Sequence, residues 1–94
     1  MVTESQRATE IVAKLNQWPD IWAVKYPGGA YGRTGVPDIL LCHQGRFFGC
    51  ELKTKDSGYE PTPIQEYQIE QIRVAGGVSG VVYSYDDVIQ MLHG

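Results

Sequence analysis

The sequence predicts a mixed α/β fold. One domain over residues 1–94 holds a four-stranded mixed sheet with flanking helices, in the order α-β-β-β-α-β-α. Three observations predict it. Apolar residues recur at helical spacing near the N-terminus. Three β-rich runs follow within residues 21–54, and a second capped helix begins at Thr62-Pro63 before a further β-rich run.

The first helix spans residues 3–17. Thr3 and Gln6 have capping-box spacing, and Ala8, Ile11, Val12, Leu15 and Trp18 form one apolar stripe. Pro19-Asp20 ends it. Residues 21–26 (IWAVKY) read as a strand, and a glycine-rich loop, PGGAYGRTG, leads to strands at 36–43 and 46–54. A loop containing Ser57, Gly58 and Pro61 precedes the second helix, which runs to about Ala75. Thr62 suits its N-cap and Pro63 its first position, and Gly76-Gly77 ends it. Residues 78–83 form the fourth strand, and a short helix starts at 84–87 and ends near His93.

A chain of 94 residues supports one compact but thin core, so self-association is expected to add to it. No apolar run approaches the ~20 residues needed to span a bilayer, and the polar N-terminus starts no secretory signal. Two cysteines without such a signal point to free thiols in a reducing, cytoplasmic setting. The net charge of −3 argues against nonspecific polyanion binding, so a nucleic-acid partner would need a local basic patch, bound metal cations, or both.

The chemistry concentrates in residues 35–55, GVPDILLCHQGRFFGCELKTK. If Gln44-Gly45 is a two-residue turn, strand residues pair when their numbers sum to 89, which sets Asp38 against Glu51. Side chains alternate along a strand and match across it, so Asp38, Glu51 and Lys53 share one face. Two carboxylates at ~4 Å repel by about 4 kcal/mol at an effective dielectric near 20. A divalent cation between them converts that repulsion to attraction. Hard carboxylate oxygens suit Mg²⁺, and Gly49 on the same face is expected to leave room there. Lys53, one pleat on, suits an attacking water or a scissile phosphate, which implies phosphodiester hydrolysis. The alternative is a surface network of ion pairs with no catalytic use.

In its order of motifs the chain resembles the virus-type replication-repair nuclease (VRR-NUC) branch of the PD-(D/E)XK nucleases. The resemblance rests on Gly35-Val36-Pro37-Asp38, Glu51-Leu52-Lys53-Thr54-Lys55, Thr62-Pro63-Ile64-Gln65 and Ala75-Gly76-Gly77. It implies a restriction-endonuclease-like core and a metal-dependent deoxyribonuclease. Asp38 and Glu51 would bind Mg²⁺ or Mn²⁺ with the Leu52 backbone carbonyl, Lys53 would be the catalytic lysine, Gln65 the helix glutamine, and Glu10 the acid of the first helix. The resemblance further implies a homodimer acting on branched DNA such as a four-way junction, since the chain leaves no room for other DNA-binding domains. One position departs from the family pattern: Gln68 stands where a large aromatic is common, with Tyr67 beside it.

Several residues keep a plainer alternative. Glu10 lies one turn from Arg7 and Lys14, a spacing of ordinary helix ion pairs, and Gln65 fits a capping box with Thr62. Arg33, Lys25 and Lys55 are candidate nucleic-acid contacts, or scattered solvated charges. Cys42 and Cys50 fall on opposite sheet faces and with His43 do not make a closed zinc site. Trp18, Trp22, Phe47 and Phe48 read as core or dimer contacts. A non-catalytic DNA-binding or assembly module with the same fold is the rival reading, and no residue distinguishes DNA from RNA.

Overall fold

The computed structural model describes residues 2–28, 32–54, 58 and 60–94. Its elements are α1 (Glu4–Leu15), β1 (Ile21–Lys25), β2 (Ile39–His43), β3 (Arg46–Leu52), α2 (Pro63–Val74), β4 (Val78–Val82) and α3 (Tyr85–His93). The strands form one sheet in the order β1-β2-β3-β4. The first three are antiparallel neighbours, whereas β4 runs parallel to β3. A parallel return needs a crossover, and α2 supplies it.

Capping chemistry sets the helix starts. Thr3 and Gln6 close a reciprocal capping box at α1, and Thr62 and Gln65 do the same at α2. The hairpin between β2 and β3 has the anticipated register, with Ile39 opposite Cys50, Leu41 opposite Phe48 and His43 opposite Arg46. Gln44 (φ 52°) and Gly45 (φ 78°) both take the left-handed conformation that a primed two-residue turn requires. The Gln44 amide donates to Asp20 Oδ2 at 3.2 Å, and His43 Nε2 lies 3.1 Å from the same oxygen. These contacts, the Gln44 hydrogen bond foremost, hold the Asp20 carboxyl below its usual value.

β2 starts later than its apolar run suggests. Pro37 has no N–H to give a ladder, although the Asp38 carbonyl still accepts from the Tyr26 N–H at 2.8 Å. The core lies between α1, α3 and one sheet face, and contains Ala8, Ile11, Leu15, Ile39, Leu41, Phe48, Cys50, Leu52, Val82 and Val88. Burial pushes the Cys50 thiol up to about 12, whereas Cys42 is exposed on the opposite face. α2 packs on that opposite face, over β3 and β4. Gly49 makes this packing possible, because a Cβ there would meet Ile72 Cδ1 at 2.8 Å, Pro37 Cγ at 3.2 Å and Ser79 Oγ at 3.3 Å. The space expected at Gly49 is therefore filled by protein and does not open beside the acidic pair.

Of the four large aromatics read as core or dimer contacts, only Phe48 enters the core. Trp22 is 66% exposed and Phe47 43%, and Trp18 donates its indole N–H to the Tyr85 hydroxyl at 2.9 Å. Trp22, Cys42 and Phe47 are successive cross-strand partners, so they share one rung of the face that α2 leaves uncovered. No described helix is long and apolar enough to cross a membrane.

Candidate active site

Glu51 is the centre of the site. It projects from β3 toward the α2 side and is 2% exposed. One carboxylate oxygen, Oε2, accepts from the Gln65 side-chain amide at 3.4 Å. The other, Oε1, is buried with no hydrogen-bond partner among the described residues. Such an orphan is costly and calls for a proton or a cation. Burial raises the pKa of this carboxyl above the ordinary range, and the adjoining Asp38 carboxyl raises it further. The Lys53 ammonium opposes the shift, and Glu4 adds weakly to it.

Asp38 precedes β2, where Oδ2 accepts from the Leu52 N–H at 2.8 Å. The Lys53 N–H donates to the Val82 carbonyl at 3.0 Å, so alternation turns the Leu52 N–H and C=O away from β4, toward Asp38. Lys53 follows on the face of Glu51 and is 7% exposed. Gln65 makes two contacts at once: its Oε1 accepts from the Thr62 N–H at 2.8 Å while its Nε2 donates to Glu51 Oε2 at 3.4 Å. The helix cap thus aims the amide at the carboxylate.

Two links seat α2 against the loop before Asp38. Gly35 (φ +80°) lies so close to the helix that a Cβ there would stand 2.7 Å from the Ile64 carbonyl oxygen. The Gln68 amide donates to the Thr34 carbonyl at 3.2 Å, while Tyr67 is exposed. A polar tie to the loop therefore stands where an aromatic was the family expectation.

The structure does not bring Glu10 to this cluster. Glu10 is exposed and lines a surface depression with Arg7, Lys14 and Tyr85. The α1 acid that acts on Glu51 is Glu4, whose Oε2 accepts from the Thr54 hydroxyl at 3.5 Å. Six residues turn a helix through about 600°, so Glu4 and Glu10 leave it about 120° apart. Glu4 reads in sequence as a first-turn acid that complements the helix dipole, which hides any further role. Lys25 donates to the hydroxyl of Ser5 in the first turn of α1. Arg33 is exposed, its N–H donating to the Tyr26 hydroxyl at 2.6 Å. Lys55 lies outside the described residues.

Among the described residues, no three His, Cys, Asp or Glu side chains converge as a ready cation cage. Two carboxyls and one outward backbone carbonyl instead form a partial oxygen set. That suits Mg²⁺, which keeps waters and takes phosphate oxygens to complete its shell. The orphaned Glu51 oxygen and the adjoining Asp38 carboxyl fit such a cation.

No protein-family model and no curated protein matches the chain. A solved structure described as "VRR_NUC domain" is 26% identical to it, with a TM-score of 0.71, covering 98% of this chain and 97% of that one. The mixed sheet, the helix order and this similarity agree: the chain has a VRR_NUC-like nuclease fold over nearly its whole length.

Proposed function

We propose that the protein is a Mg²⁺- or Mn²⁺-dependent DNA endonuclease that hydrolyses phosphodiester bonds. The observation that carries this reading is the buried, unpartnered Glu51 oxygen next to the Asp38 carboxyl, with Lys53 on the same face. Asp38, Glu51 and the Leu52 carbonyl would hold the cation. When bound, it supplies charge neutralisation for the developing phosphate charge and activation of water.

The chain's own residues do the rest. The Leu52 N–H fixes Asp38, and the Gln65 amide fixes Glu51 Oε2, so neither carboxylate must reorganise on binding. The Lys53 ammonium steadies negative charge on the transferring phosphoryl group and orients the attacking water. Glu4 adds negative charge at the helix side of the site. Arg33, Lys25 and Lys55 serve as backbone phosphate contacts, which position a strand without reading its sequence.

Selectivity for branched DNA, four-way junctions in particular, is the expectation that the family likeness carries. A C2 homodimer would present two sites for symmetric cuts, and the exposed Trp22–Cys42–Phe47 rung supplies an apolar face for it. The test is cleavage of labelled four-way, flapped and linear DNA with Mg²⁺ or EDTA. Cutting is expected with Mg²⁺ alone, and to fall at least ~100-fold in Asp38→Asn and Lys53→Ala. Cutting that survives EDTA or either substitution overturns the mechanism. Binding of DNA without cutting supports the non-catalytic module.

A further inference from the structure

We propose that the outer edge of β4, at Val81, receives a short extended segment of a partner protein carrying a basic side chain. In a parallel pair, alternate residues direct both N–H and C=O to the neighbouring strand. The Lys53 N–H bonds the Val82 carbonyl, so Val82, Gly80 and Val78 face β3 while Ser79 and Val81 face outward.

Two other groups of this edge are occupied. The Arg73 Nε–H donates to the Ser79 carbonyl at 3.0 Å, and Asp87 Oδ2 accepts from the Tyr83 N–H at 2.9 Å. Native edges are commonly blunted by such groups. The other side of the sheet shows a complete form: Asn16 takes both the N–H and the C=O of Ala23, each at 2.9 Å, as a neighbouring strand residue would. No described residue does this for Val81. Val81 lines a cleft of about 420 Å³ together with Pro61, Glu66, Ile69, Glu70 and Arg73, among others.

Charge selects the occupant. Glu70 lies 3.9 Å from the Arg73 guanidinium, whereas Glu66 has no ion-pair partner among the described residues. Nucleic acid meets repulsion from Glu66, and a second copy would set the same acids against each other. A basic peptide segment is attracted, with two backbone bonds at Val81, apolar contact on Pro61 and Ile69, and a lysine or arginine on Glu66. Val81 is the register partner of Glu51, so the added segment would lie about two strand spacings, ~10 Å, from the strand that bears the acidic site. The proposal does not depend on the nuclease reading.

The test is amide NMR of the full chain titrated with acetyl-Val-Lys-Val-Lys-Val-amide and its Val-Glu counterpart, to millimolar concentration. The basic peptide is expected to shift the Val81 amide and slow its exchange, and the acidic one to leave it unmoved. Glu66→Lys, at an exposed position, should weaken the basic peptide about fivefold or more. Val81→Pro removes only an outward N–H of an edge strand and should abolish the shifts that the basic peptide causes at the neighbouring Gly80 and Val82 amides. No shift at Val81, equal response to both peptides, or shifts that survive Glu66→Lys overturns the proposal. So does sedimentation showing that the wild type self-associates through this edge and Val81→Pro does not.

Discussion

Glu51 is the proposed cation ligand, and with no cation bound its buried charge is a liability. Its folded pKa is raised, chiefly by burial and then by Asp38. The folded state therefore holds a proton that the unfolded chain releases above about 4.3. Stability from this group is fully present below that pH and is lost as pH climbs toward the folded value. Thermal melts in EDTA should show a lower Tm at pH 8 than at pH 5, and Mg²⁺ should restore part of the loss at pH 8 by binding the folded state. Glu51→Gln keeps the shape and removes the charge. It should raise the Tm in EDTA at pH 8 by several degrees, on the scale of about 4–8 °C per kcal/mol, and abolish the gain from Mg²⁺. A variant that melts lower in EDTA, or still gains from Mg²⁺, contradicts the assignment. The Asp38–Glu51–Lys53 set was legible because strand alternation and a two-residue turn leave one register. On α1 the structure turns Glu4 and not Glu10 toward the cluster, and the sequence does not separate them, because both acids have ordinary helical explanations, as a first-turn acid and as an ion-pair partner.

At the scale of elements, α2 binds the site together. Its capping box presents Gln65 to Glu51, and its first turns rest on Gly35 ahead of Asp38. Gly35→Ala forces a left-handed backbone on a residue with a Cβ and drives that atom into the Ile64 carbonyl. The expected loss is at least ~1 kcal/mol, measured by urea denaturation. Metal-stimulated cleavage should fall further than stability does, since the clash separates α2 from the Asp38 loop. Wild-type stability in Gly35→Ala would show that this contact can yield. Capping residues and glycines were visible in sequence; the surfaces they bring together were not, because a glycine's tolerance names no neighbour. Gly49 illustrates this, with its room taken by Ile72, Pro37 and Ser79 instead of standing open beside the carboxylates.

For the whole molecule, the uneven covering of the sheet matters most. α1 and α3 bury one face, while α2 packs mainly over β4 and β3 on the other. Among the described residues, the part of that face beyond α2 exposes Trp22 and Phe47, large apolar groups that monomers seldom leave grouped. Trp22→Asp should convert a dimer to a monomer in sedimentation velocity and leave the fold intact by circular dichroism. A wild type that sediments as a monomer at tens of micromolar removes the dimer from the proposed function.

The sequence by itself determined the element order, both capping boxes, the hairpin register and the side of the hairpin that carries the charges, because each follows from periodicity or from chemistry a few residues apart. Only the tertiary structure decided that β4 runs parallel to β3, that Glu4 and not Glu10 turns to the site, that Gln65 serves cap and carboxylate together, and that Trp22 stays outside the core. These depend on the rotation and placement of one packed element against another, and local pattern leaves that phase free.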